Sequence, residues 1–186
     1  MNKLNIGSGE YPKAGFINVD YYSVTKPDIE HDLNQFPYPF EADFFDHIES
    51  DHCLEHLQNP FAVMKEIHRI AKNNATVIIR VPHFSRGFTH AEHKAGFDVT
   101  FPYYFQKNFK GGYQGVEFIS KKVRLHWFAQ PYFKKTVLSP AQYYPALIMG
   151  KWFDLIAGIS PFICSRLWCF WVGGFEEVEF YFIVKK

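Results

Sequence analysis

The 186-residue sequence has no surplus of charge: 20 Lys and Arg stand against 19 Asp and Glu, a formal charge of +1. A nucleic-acid module of this size would be strongly cationic, which argues against that class of partner. Only three cysteines occur, Cys53, Cys164 and Cys169. They cannot close a set of disulfides, and no pair has zinc-ribbon spacing. No basic-then-apolar segment opens the sequence, so the reducing cytoplasm is the expected compartment. No uncharged run reaches the ~18 residues that a spanning helix requires. The longest, 136–150, has 15 residues and is broken by Pro140 and Pro145. Internal repeats and low-complexity tracts are also missing. With 47% hydrophobic residues the chain is no charge-rich disordered polymer. Its length suits one domain.

What it has in excess is aromatic side chains: 21 Phe, 11 Tyr and 4 Trp, or 19%. Short apolar runs predict strands at 3–6, 16–20, 28–30, 45–50 and 76–81. The last is β-branched almost throughout, which suits a central strand buried on both faces. Between the last two, Asn59 caps a helix and Pro60 occupies its first turn, where a missing N–H costs nothing. Phe61, Met64, Ile67, His68 and Ala71 recur at helical spacing, and Asn73-Asn74 supplies a left-handed stop. Strand, helix and strand in this order imply a right-handed parallel crossover. Beyond a polar loop over 83–100, two later strands, 116–127 and 178–184, bracket a long segment at 128–175.

Several residues at the ends of these strands have chemistry to offer. Gly7-Ser8-Gly9 follows the first strand, where glycine lets the backbone turn tightly and approach a ligand. Asp20 ends the second strand and suits the two hydroxyls of a ribose. The 11 residues from Gly9 to Asp20 fall short of the roughly 20 of a dinucleotide fingerprint, which counts against NAD. Asp32, after the third strand, lies where an adenine amino group would be met. Ser50, Asp51 and His52 line the carboxyl edge of the sheet, where open α/β sheets bind ligands. His52-Cys53-Leu54-Glu55-His56 has the H-x-x-E-H spacing of inverted zinc proteases. It lacks an obvious third ligand on a partner helix, so the ligand-edge reading is preferred and no metal is expected. Eight of the nine histidines lie between residues 31 and 93. Histidine is the side chain best suited to proton transfer near neutral pH. His83 follows the fifth strand and is expected to face the ligand edge. His90 and His93 follow in a loop jointed at Gly87 and Gly96.

Taken together, these residues resemble the class I S-adenosylmethionine-dependent methyltransferases, in a small branch associated with polysaccharide and glycan pathways. Leu4-Asn5-Ile6-Gly7-Ser8-Gly9 is similar to that family's first nucleotide-binding motif, and Gly15-Phe16-Ile17-Asn18-Val19-Asp20 to its acidic second motif. His31-Asp32-Leu33, Phe36 to Phe40 and Phe45 to Ile48 follow its run into the fourth strand. Ser50 to Leu57, Glu66 to Lys72, Val81-Pro82-His83 and His93 continue the series. The likeness covers residues 3 to about 110, and Glu177 to Lys185 loosely. Two departures stand out: no helix precedes the first strand, and the first crossover helix is nearly absent. The resemblance implies S-adenosylmethionine as cofactor, with contacts from Asn5, Gly7, Ser8, Gly9, Asp20, Tyr21, Asp32, Leu33, Ser50 and Asp51. For a hydroxyl acceptor it suggests His83 or His93 as base, with His52 behind them.

The expected fold is α/β: a Rossmann-like, mostly parallel sheet with an antiparallel last strand and an aromatic-rich helical insertion before it. Residues 1–186 form a single domain, with a cofactor-binding core at 1–110 and a hydrophobic insert or lid at 128–175. The expected reaction is methyl transfer to a small-molecule or glycan-like acceptor, most simply O-methylation. The alternative is a non-catalytic cofactor-binding or membrane-associated accessory protein. From 138 to 175 only Lys151, Asp154 and Arg166 carry charge, among nine aromatics. Three readings of this stretch stay open: a cap over the substrate, a homodimer interface, or peripheral membrane contact.

Overall fold

A computed structural model describes residues 1–86 and 90–186. The apolar runs form β1 (Lys3–Ile6), β2 (Ile17–Asp20), β3 (Ile29–Glu30), β4 (Phe45–Asp51), β5 (Ala71–Pro82), β6 (Glu117–His126) and β7 (Glu177–Lys185). They build one sheet in the order β3-β2-β1-β4-β5-β7-β6. Strands β1 to β5 pair in parallel, and β7 runs antiparallel to both β5 and β6. This is the expected Rossmann-like arrangement. Helices α2 (Pro131–Val137), α3 (Pro140–Ala157) and α4 (Pro161–Arg166) form the insertion before β7. Among the described residues no helix is long and apolar enough to cross a membrane. Gly87, expected as a loop joint, lies outside the described residues.

The crossover helix α1 (Pro60–Ile70) starts where the sequence places it, with the Asn59 side chain accepting from the Ala62 N–H at 3.0 Å. It ends at Ile70, because Ala71 already pairs with Phe45 in the sheet. Asn74 does adopt a left-handed conformation, φ 66°, but within β5 rather than at the helix end. The buried face is Val63, Met64, Glu66, Ile67 and Ile70. His68, expected on that face, instead meets the Lys185 carbonyl at 2.9 Å near the surface. Glu66 is tolerated inside because Arg69 and the Tyr38 N–H satisfy its carboxylate.

The sheet has one dry face and one charged face. Val77, Ile79 and Val81 of β5 and Val178, Phe180, Phe182 and Val184 of β7 are fully buried on the first. There Phe105, Phe118 and Phe182 meet with ring centroids 5.3 to 5.9 Å apart, and α1 closes the layer. On the second face the alternate positions are Glu49, Asp51, Arg80, Arg124, His126, Glu177 and Glu179. Burial on both faces of β5 forms in part: Ile78 and Pro82 are buried on this side, while Arg80 is half-buried among its ion pairs. The connection from β1 to β2, residues 7–16, contains no helix, so the cover on this side comes from α2 and α3 of the insertion, which face Arg80, His126 and Glu179 across a cavity. Ion pairs fill the rest. Lys13 reaches Glu49 at 2.6 Å and Asp51 at 2.7 Å. Arg80 reaches Asp51 at 2.6 Å and Glu179 at 2.7 Å.

These pairings shift protonation. Burial alone would raise Glu49 and Glu179, but their cationic partners outweigh it and hold both at about 2. Burial would lower His126, yet hydrogen bonds to Asp154 and Glu179 raise it to about 10.

Two outcomes test the two faces. Phe182→Ala should cost about 3–5 kcal/mol by chemical denaturation, as for other buried rings. Tyr181→Ala, one residue away on the charged face, should cost about 1 kcal/mol or less. Second, stability contributed by His126 is complete below its ordinary value of 6.5 and is lost as pH rises through about 10. The carboxylate contribution is complete above 4.5 and is lost as pH falls towards 2. Unfolding free energy measured against pH should therefore decline on both sides of a plateau near 5–6.5, and His126→Gln should flatten the alkaline limb.

Candidate active site

Because β1, β2, β4 and β5 run parallel, their carboxyl ends gather at one edge, and the loops leaving them build a cleft. The turn after β1 is held by two N–H groups, Gly7 at 2.9 Å and Ser8 at 3.1 Å, donating to the Val19 carbonyl. Gly7 has φ 69°, and a β-carbon there would collide with the Cys53 side chain. Gly9 has φ 47°, and a β-carbon there would meet open space. The turn is thus left-handed, close-packed behind and open in front. Its Ser8 hydroxyl is buried with no hydrogen-bond partner among the described residues.

Asp20 sits beside this turn. One carboxylate oxygen accepts from the Gly9 N–H at 2.7 Å, the other from the Tyr22 N–H at 3.0 Å. A carboxylate has about four acceptor positions, so two stay available. Gly7, Gly9, Asp20, Tyr21, Asp32 and Leu33 line a common cleft of about 710 Å³ together with His52 and His56. That volume lies within the roughly 300–1,000 Å³ usual for small-molecule sites. The open glycine, the unused carboxylate positions and the orphaned serine hydroxyl suit a nucleoside carrying an amino-acid tail.

Four expected site residues lie elsewhere. Asn5 is buried and donates to the Asn18 side chain at 2.9 Å, beneath the sheet edge. Ser50 is fully buried against Cys53. Asp51 points to the charged face, where Lys13 and Arg80 hold it. His83, expected at the ligand edge, has no exposed surface. Its Nδ1 meets the Ser85 hydroxyl at 2.7 Å and its Nε2 the Ser165 hydroxyl at 2.8 Å. Burial pushes it down to about 4, and the insertion seals it in. Strand periodicity places Asn5 and Asp51 on the charged face and Ser50 on the dry face.

A second cavity of about 560 Å³ adjoins the cleft, lined by His52, Glu55, His56, His90 and His93, with Arg86, Lys134 and Glu176 across from them. His52 and His56 belong to both walls. His52 has φ 50°, which turns its ring back over the sheet edge. There its Nε2 meets Glu177 at 2.7 Å, and its Nδ1 lies 3.5 Å from Glu55. Burial would lower its pKa, but the two carboxylates outweigh burial and raise it to about 9. His52 is therefore a cation at neutral pH. Residues 54–56 form a 3-10 turn, not the helix that H-x-x-E-H ligation needs. His93 joins His56, ring centroids 5.0 Å apart. Glu177 carries no signal in sequence, 125 residues from His52; Cys53, Asn34 and Lys94 are also cleft residues that strand-end reasoning misses.

Residues 8–79 match the family model of a methyltransferase domain. No curated protein matches the sequence. Among solved structures the chain is similar to a candidate sarcosine dimethylglycine methyltransferase from Galdieria sulphuraria, at 12% identity over 99% of this chain and 77% of that one, TM-score 0.61. It is also similar to an S-adenosylmethionine-dependent methyltransferase from Mesorhizobium loti, at 10% identity over 98% and 90%, TM-score 0.55. The cyclase SpnF shares the fold as well, at 11% identity over 99% and 74%, TM-score 0.57. Identities this low establish the architecture, and architecture alone does not fix a reaction. The domain match over residues 8–79, set on this sheet, supports S-adenosylmethionine-dependent methyl transfer as the chemistry of the fold.

Proposed function

We propose that the protein methylates a hydroxyl of a small-molecule or glycan-like acceptor. The observation that carries this reading is the shared wall: the glycine-turn cleft and the histidine-lined cavity meet at His52 and His56. In this reading Gly7 and Gly9 face the methionine end of the cofactor, Asp20 the ribose, and Asp32 with Leu33 the adenine. The cofactor supplies a sulfonium methyl that is already activated, so alignment is the main task left to the protein. His52, paired with Glu177, contributes fixed positive charge rather than a base. His93, with His56, faces the acceptor and draws off its proton. Arg86, Lys134 and Glu176 give the opposite wall polar groups suited to a polyhydroxylated acceptor. Residues 1–110 act as the cofactor unit in this account, and 128–175 as a separate accessory surface.

The insertion favours peripheral membrane contact over a closed lid. Tyr144, Ile148, Trp152, Leu155, Ile159 and Trp171 are exposed, Trp152 at 65% and Trp171 at 84%. A lid would bury them. Lys135 and Lys151 of the same segment are exposed as well, and the combination of Trp, aliphatic side chains and cations suits an anionic lipid interface.

Asp20→Ala should weaken S-adenosylmethionine binding about 10- to 100-fold by calorimetry, the worth of one or two charged hydrogen bonds. His93→Ala should leave that affinity intact while methyl transfer to an acceptor pool drops. Unchanged affinity in Asp20→Ala overturns the site; cofactor binding without any consumption favours the accessory-protein reading. For the insertion, the protein should float with vesicles containing anionic lipid, and Trp152→Ser with Trp171→Ser should sink. A monomer–dimer shift in that variant, with no flotation of either form, would assign the surface to a homodimer.

A further inference from the structure

Glu55 is the anomaly of the acceptor cavity. It is only 1% exposed, and neither carboxylate oxygen has a hydrogen-bond donor in place among the described residues. The nearest cationic atom is His52 Nδ1, at 3.5 Å. Leaving a carboxylate buried in this state is costly unless something else meets it. Beside it stand His56 and His93, each offering one ring nitrogen; the three ligand atoms lie within 4.8 Å of one another. The arrangement is not an accident of a loose loop. The N–H groups of Lys94 and Ala95 donate to the Glu55 carbonyl, at 2.7 and 3.3 Å, so the segment carrying His93 is docked on Glu55 itself.

We propose that Glu55, His56 and His93 bind a divalent first-row transition cation, of which Zn²⁺ is the simplest case. One carboxylate and two imidazoles are the donor set that suits zinc and iron, whereas Mg²⁺ and Ca²⁺ prefer oxygen alone. Bonds of 2.0–2.2 Å imply ligand separations of about 3.3 Å in a tetrahedron. Closing from 4.8 Å to that spacing would fall to the half-exposed His56 and His93, since Glu55 is buried. Three protein ligands leave a coordination position, and all three residues line the cavity that adjoins the glycine-turn cleft.

This deepens the proposed function and rests on its assignment of the acceptor cavity. A hydroxyl bound at the open position loses its proton to solvent more readily, because the cation stabilises the alkoxide. The alkoxide oxygen then forms the O–CH₃ bond as the C–S bond of the sulfonium breaks, leaving the thioether. With the cation bound, His56 and His93 act as ligands and the proton goes to solvent, which replaces the base role that the acceptor cavity gives His93 without a metal; the sequence pattern around His52 to His56 contributes two of its members to a site that its spacing alone does not describe.

The test is direct. Chelator-treated protein titrated with Zn²⁺, in competition with a chromophoric chelator, should bind one equivalent. Co²⁺ should give the visible absorption of a low-coordinate site. Glu55→Gln, His56→Ala and His93→Ala should each weaken Zn²⁺ binding by more than about 100-fold, beyond the loss of an outer-shell partner. His68→Ala, on the far surface, should bind as the wild type does. Circular dichroism and calorimetry with S-adenosylmethionine establish that each variant is folded. Absence of stoichiometric binding in the wild type, or binding unmoved by His93→Ala, overturns the metal site. Chelator-treated protein that transfers methyl groups at full rate, with transfer still dependent on His93, overturns it too and leaves His93 as the base. The failure of the acceptor-site reading is separate: there, zinc binds as described and His93→Ala leaves transfer unchanged.

Discussion

The guanidinium of Arg80 holds three strands at once, pairing with Glu49 and Asp51 on β4 and with Glu179 on β7. It can do so because no helix joins β1 to β2 over this face, and the insertion helices α2 and α3 leave a polar cavity against it. A parallel sheet ordinarily needs apolar cover on both sides, and the ten residues between β1 and β2 are too few to supply it. The alternate side chains of β4, β5, β6 and β7 therefore had to be charged and mutually paired. A network of this kind stabilises only when complete, since an unpaired buried charge is expensive. Lys13, Arg124 and His126 complete it.

The network extends to the site. Its last carboxylate, Glu177, is the one that grips His52. The left-handed backbone at His52 and its link to the Arg80 carbonyl at 2.8 Å bring the ring to this point. The charge of His52 at the junction of cleft and cavity is thus a consequence of how the charged face is paired. With no first crossover helix, the glycine turn rests on Val19, Asp20 and Cys53.

The aromatic excess divides into two populations with different physics. Phenylalanines of 97–118 and of β7 fill the dry face and replace aliphatic volume with edge-to-face rings. The tryptophans and tyrosines of the insertion stand largely outside, around α3 and α4. Trp127 is the link between the two, half-buried on Phe153 and donating to the Val172 carbonyl at 2.9 Å. Composition alone cannot separate the groups, because both are apolar.

The sequence by itself determined the strands, the capped crossover helix, the parallel core with its antiparallel last strand, and the places of Gly7, Gly9, Asp20, Asp32 and Leu33 around one cleft. Those features are local: periodicity, turn chemistry and strand ends specify them within a few residues. The tertiary structure decided everything that depends on which face a side chain takes or on what arrives from far along the chain. Strand alternation sends Asn5 and Asp51 to the charged face and Ser50 into the dry one. His83 is sealed by Ser165, which lies 82 residues away. His52 is made a cation by Glu177, and Glu55 meets His93 only because a loop is hydrogen-bonded back onto it. Long-range pairings of this sort leave no trace in spacing, since contact between distant segments is set by sheet order and not by the residues on either side.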